Sequence, residues 1–194
     1  MTRAVTSVNV MPMSSHAKSQ RSKFHALLHD QIRNEFNAEH QYIAMAVWFD
    51  NADLPVLAKH FYKQAVEERN HAMMIVQYFL DRDINVELSD VDAPKAQFAN
   101  AKEALQLALS QEQAVTEQIV QLASTAREEG DYLGEQFMQW FLKEQVEEVA
   151  HMKTLVNVAE RAAANLFDLE NFVAREMSSP SDASGAPSTA GGHL

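Results

Sequence analysis

The sequence predicts an all-α protein: a four-helix bundle with a long crossover between its second and third helices and a short fifth helix near the C-terminus. Three observations predict it. Gly and Pro together number only ten in 194 residues and cluster outside the middle of the chain, where Ala, Leu, Glu and Gln dominate. Four long stretches each carry an apolar row spaced alternately by three and four residues, the period of a buried helix face. The links between these stretches run short, long, short, which makes the first pair and the last pair antiparallel neighbours. A hydrophobic content of 46% in a chain of this length supports one domain with a real core.

Residues 1–22 are rich in Ser and Thr without a periodic pattern and predict a disordered N-terminal arm. The domain then spans 23–176. Its first helix, 23–50, carries the row Leu28, Ile32, Glu35, Glu39, Tyr42, Ala46, Phe49. Asn51-Ala52-Asp53 breaks it, with Asp53 as expected N-cap of the next helix and Pro55 in the first turn. The second helix, 54–81, carries Leu57, Phe61, Gln64, Glu68, His71, Ile75, Tyr78. Residues 82–96 are too long for a helix hairpin and predict an extended crossover, which lets the third helix run parallel to the second. That helix, 96–129, carries Leu105, Leu109, Glu112, Thr116, Ile119, Ala123, and Gly130-Asp131 turns the chain. The fourth, 132–161, carries Gly134, Met138, Phe141, Gln145, Glu148, Met152, Leu155, Ala159. A fifth, 165–176, is too short to stand alone and must dock on the bundle or on a neighbouring subunit. Residues 177–194, rich in Ser, Pro, Gly and Ala, predict a disordered tail.

Composition excludes several chemistries. There is no Cys, so disulfides, thiolate catalysis, iron–sulfur clusters and cysteine zinc sites are out. No apolar run approaches the roughly 18 residues of a membrane span, and no signal-peptide pattern is evident, so a cytoplasmic location is expected. The net charge is −11. Residues 1–23 hold Arg3, Lys18, Arg21 and Lys23 and no acid, which leaves −15 on the rest. An acidic body argues against general nucleic-acid binding and for attracting cations.

Each predicted helix row is apolar at both ends and polar near its midpoint. The first offers Glu35, Glu39 and Tyr42, the second Glu68 and His71, the third Glu112, the fourth Gln145 and Glu148. Glu68 and His71 are three residues apart and share a face. Midpoints of bundle helices lie at a common level, so these groups should converge. Unpaired carboxylates there would repel strongly in a low dielectric, and a metal is the usual compensation. Carboxylates with one imidazole and no sulfur suit iron or manganese. Two metals bridged by Glu68 is the natural stoichiometry, because two ferrous ions can pass two electrons to one oxidant molecule. Tyr42, seven residues after Glu35, could donate a hydrogen bond or a further electron.

These residues resemble the bacterial non-haem ferritins, members of the ferritin-like di-iron family. The resemblance covers about 23–176 and rests on Asn34-Glu35-Phe36 with Tyr42, Glu67-Glu68-Arg69-Asn70-His71, Gln111-Glu112, and Gln139-Trp140-Phe141 followed by Glu144-Gln145-Val146-Glu147-Glu148. It implies a ferroxidase, an Fe(II):oxygen oxidoreductase using O2 or H2O2, that stores and detoxifies iron as a ferric mineral inside a shell of twenty-four subunits. It implies a first iron site at Glu35, Glu68 and His71, and a second at Glu68, Glu112 and Glu148 with Gln145 close by. A third iron site is implied at Glu67, Glu144, Glu147 and Glu148. The fifth helix would line a four-fold channel, and Glu135 falls where three-fold pores carry acids.

Two features depart from relatives of this type. A second Glu-x-x-His, Glu148-Val149-Ala150-His151, resembles a bacterioferritin ligand motif, but the family register puts Gln145 and Glu148 at ligand level and leaves His151 a turn further on. Bacterioferritins hold haem through a Met just after the second-helix Glu; here that position is Arg69, so no haem is expected. Competing readings are a non-storing di-iron oxidase and a DNA-protecting ferritin-like dodecamer, which the basic arm would suit.

Overall fold

A computed structural model describes residues 22–162, 165–177 and 185–194, so the expected N-terminal arm, apart from Ser22, lies outside the described residues. Five helices follow in order: α1 Lys23–Asn51, α2 Pro55–Asp81, α3 Ala101–Glu128, α4 Tyr132–Ala162 and α5 Leu166–Glu176. The first four pack as a bundle in which α1 pairs with α2 and α3 with α4, while α5 lies against α4 and α2. No described helix is long and apolar enough to cross a membrane.

The helix ends show how local chemistry sets the frame. Ser22 caps α1, its hydroxyl accepting the His25 N–H at 3.1 Å. Glu129, just past α3, accepts the N–H groups of Lys23 and Phe24 at 2.9 and 3.0 Å, so the ends of α1 and α3 are tied together. The start of α2 differs from expectation. Asp53 is not its cap: it sits at φ 57°, in the left-handed turn that the short link requires. Leu54 takes the cap position and has no side-chain bond to offer. Instead, Glu170 of α5 accepts the Val56 and Leu57 N–H groups through one oxygen, both at 2.9 Å. The short fifth helix therefore docks by capping α2 from outside.

The crossover runs along α1 in extended form. Arg33 reaches Asp92 at 2.5 Å, Asn37 exchanges two bonds with Asp92, and Gln41 exchanges two with Lys95. It ends later than the composition suggests, because α3 begins at Ala101 rather than 96. Asn100 accepts the Glu103 N–H while the Glu103 carboxylate accepts the Ala99 N–H at 2.6 Å, a capping arrangement that stops the helix from extending backwards. The α3–α4 turn uses Gly130 at φ 71°, and Asp131 accepts the Gly134 N–H at 3.0 Å. Gly134 lies against the Phe24 ring with no room for a Cβ.

Two apolar clusters fill the bundle. One holds Tyr42, Phe49, Leu57, Phe61, Leu105, Met152, Leu155, Leu169 and Val173. The other holds Phe24, Leu28, Ile32, Ile75, Phe79, Ile119, Leu122, Met138 and Phe141. The polar row centres lie between them.

Of the expected disordered tail, 178–184 lie outside the described residues, and the described end of it is packed rather than free. Residues 185–194 lie against α2: the Ala190 N–H donates to the Met73 carbonyl at 3.1 Å and the Leu194 N–H to Asn70 Oδ1 at 3.3 Å. Ala186 and Ala190 pack on the second cluster and Thr189 is buried. Small side chains allow this close approach of backbone to helix.

Candidate metal centre

Glu35, Glu68 and His71 each offer a ligand atom within 4.8 Å of the others, and all three are buried. Glu35 comes from the middle of α1 and the other two from the middle of α2. His71 Nδ1 lies 3.4 Å from Glu68 Oε2 and 4.0 Å from Glu35 Oε2. Trp140 and Phe141 of α4 box the imidazole edge-on, with ring centroids 5.6 and 5.7 Å away.

A second group adjoins on the α3–α4 side. Tyr42 donates its hydroxyl to Glu112. Gln145 Nε2 lies 3.5 Å from Glu112 Oε2, and Gln145 Oε1 accepts the Thr116 hydroxyl at 2.8 Å. Glu148 accepts from Gln64 Nε2 at 3.2 Å. Glu35, Glu68, Glu112, Gln145 and Glu148 are each at most 4% exposed, so four carboxyls sit in one buried layer.

Burial shapes their protonation. It pushes the Glu35 and Glu68 carboxyls well above the usual range, with the Glu68 charge adding at Glu35 and that of Glu112 adding at Glu68. Burial, with the charges of Glu112 and Glu67, lifts Glu148 to about 8. Glu112 is raised by burial while the Tyr42 hydrogen bond opposes the shift. The Tyr42 phenol is raised well above its ordinary value, first by burial and then by the Glu112 charge. A divalent cation would reverse this logic by making the ionised form the stable one. The donors fit such an ion: Glu35 Oε2 is buried without a hydrogen-bond partner, and oxygen donors with one imidazole suit iron or manganese.

The remaining candidates lie around this layer. Glu67 and Glu144 are half-buried and, with Asn70, His71, Trp140 and the tail residue His193, line a cavity of about 60 Å³. Burial raises the Glu144 carboxyl. Glu147 is exposed and its carboxylate lies 4.0 Å from Lys143. Glu39 is half-buried beside Arg69, whose charge opposes the rise that burial causes. Glu135 is tied to Arg127 at 2.5 Å within the same subunit. His151 is exposed.

Sequence reasoning passes over three supporting groups. Gln31, 2% exposed, donates to Glu35 at 2.9 Å. Gln64 bridges Glu67 and Glu148, and Thr116 orients Gln145. A signal was present: Gln31 and Gln64 each lie four residues before a candidate ligand, on the same helical face.

The fold and this layer define a helical bundle built around a buried carboxylate–imidazole centre. A family model for the ferritin-like domain matches residues 25–162, and the chain belongs to the ferritin family. It is similar to ferritin BfrB of Mycobacterium tuberculosis, 64% identical over 174 residues that cover 90% of this chain and 96% of that one. It is 41% identical over 134 residues to a bacterial non-heme ferritin of Staphylococcus aureus, covering 69% of this chain and 81% of that protein. Among solved structures, an open pore ferritin from Archaeoglobus fulgidus superposes with a TM-score of 0.76 at 28% identity, over 79% of this chain and 95% of that one.

Proposed function

We propose that this protein stores and detoxifies iron: each subunit oxidises Fe(II) at an internal two-iron centre and passes the product to a ferric mineral inside a twenty-four-subunit shell. The observation that carries the reading is the buried layer itself. Four carboxyls and an imidazole between two apolar clusters are costly unless cations enter.

In this reading Glu35, Glu68 and His71 receive one ferrous ion. Glu68, Glu112 and Glu148 receive the second, with Gln145 beside it and Glu68 shared. Entry of the ions displaces protons from carboxyls that burial holds protonated. Two ferrous ions give two electrons to one O2, which leaves as H2O2 with two protons; H2O2 as oxidant would instead be reduced to water. Tyr42 holds the Glu112 carboxylate in place, and Gln31 and Gln64 do the same for Glu35 and Glu148. The Trp140 and Phe141 rings keep the His71 imidazole from turning. Glu67, Glu144, Glu147 and Glu148 form a third cation site, and Glu67 leads off the centre. Arg69 follows Glu68 and offers no axial ligand, so haem has no part in the reading.

Aerobic addition of Fe(II) to the purified shell tests the proposal. Rapid ferric absorbance is expected from the wild type, with a loss of at least tenfold in rate for Glu68→Ala and His71→Ala. Wild-type rates in both variants would sink the site assignment. A particle far below half a megadalton, such as a dimer or dodecamer, would sink the storage reading.

A further inference from the structure

The second Glu-x-x-His leaves His151 outside the buried layer, and the packing of α4 on α2 shows what it faces. Two contacts set the register. His71 meets Trp140 with ring centroids 5.6 Å apart, and Gln64 donates to Glu148 at 3.2 Å. Positions fall along α2 as they rise along α4, so the two helices are antiparallel. Eleven residues back from His71, three helical turns, stands His60; eleven residues on from Trp140 stands His151. The two positions are therefore level with one another, and the His151 charge reaches His60. His60 also lies seven residues before Glu67, and His151 seven after Glu144, so both continue the groove edge that those glutamates line.

The chemistry of His60 is unfinished. Its Nε2 is shut off from solvent and has no hydrogen-bond partner, an arrangement that native proteins rarely leave uncompensated. Burial lowers its pKa to about 4, with the charges of Lys63 and His151 adding, so the ring is neutral at physiological pH. A neutral imidazole is the form that binds metal. The surrounding charges do not forbid a cation. Lys63 lies 3.3 Å from the Glu67 carboxylate.

We propose that His60 and His151 form a two-imidazole site for a divalent first-row cation at the end of the α2–α4 groove. Two nitrogens favour Fe(II), Zn(II) or Cu(II) over the hard ions Mg(II) and Ca(II). The site lies one turn beyond Gln64 and Glu148 and is separate from the buried centre.

Cu(II) titration of the assembled full-length protein, read by electron paramagnetic resonance, tests this. A His71→Ala background removes the imidazole of the buried centre. In that background one Cu(II) per subunit should show coupling to two nitrogens. Adding His151→Gln should reduce the coupling to one nitrogen and weaken binding at least tenfold, and adding His60→Gln should do the same. Absence of a two-nitrogen signal, or a signal unchanged by His151→Gln, overturns the proposal. His151 is exposed, so its substitution leaves the fold intact, which the melting temperature checks. Ferrous oxidation is a separate readout: His151→Gln alone should retain it while Glu68→Ala loses it, so the two readings fail independently.

Discussion

Replacing Glu148 by Gln should make the metal-free protein more stable, the reverse of the usual result for a buried polar residue. Glu148 is 4% exposed, and burial with neighbouring charge lifts its carboxyl from 4.5 to about 8. A raised carboxyl pKa stabilises the fold fully below the unfolded value, and that contribution is lost as pH rises through the folded value. At pH 7 the unfolded carboxyl is ionised and the folded one mostly protonated, so keeping the proton costs the native state about 3 kcal/mol at 1.36 kcal/mol per pH unit. Gln has the shape of the protonated acid, can still accept from Gln64, and carries no such cost. The metal-free Glu148→Gln protein should therefore melt about 6–12 °C above wild type at pH 7, given roughly 2–4 °C per kcal/mol for a chain of this size. The gap should shrink toward zero near pH 4.5. Scanning calorimetry of chelator-treated protein from pH 5 to 8 measures it. A variant that melts at or below wild type at pH 7, or a gap that does not change with pH, would refute the claim that burial holds this carboxyl protonated. Adding Fe(II) anaerobically should close the gap, because the ion rewards the ionised carboxylate of the wild type alone.

Two further predictions concern the frame. Gly134→Ala forces a methyl group into the Phe24 ring and should cost about 1–3 kcal/mol by overpacking; a melting temperature within a degree of wild type would show that the ring moves aside freely. Glu170→Ala removes the shared acceptor of Val56 and Leu57 and should cost about 1–2 kcal/mol. Hydrogen exchange at those two amides should accelerate at least tenfold, with Glu170→Gln restoring part of the protection, and unchanged exchange would show that α5 docks without this bond.

Much of this molecule is legible along the chain because helices encode their faces locally. Four rows with apolar ends and polar middles specify a bundle and the level at which Glu35, Glu68, His71, Glu112 and Glu148 meet, since a helix midpoint is counted from residue numbers alone. The helix ends were less legible. Asp53 has the chemistry of a cap, yet the turn puts it at positive φ, and the acceptor comes from Glu170, 117 residues further on. No local pattern carries a pairing of that range.

The sequence by itself determined the helical class, the crossover and the identity of the acidic layer, because periodicity and donor type are properties of single segments. Only the tertiary structure decided what those residues lean on. It placed Gln31 and Gln64 against the carboxylates, tied Glu135 to Arg127, and laid the small-residue tail on α2. It also set positions 60 and 151 level with one another, because the register between two helices is fixed by packing contacts such as His71 on Trp140 and Gln64 on Glu148. Those contacts join residues far apart in the chain, and their energies depend on distance in space.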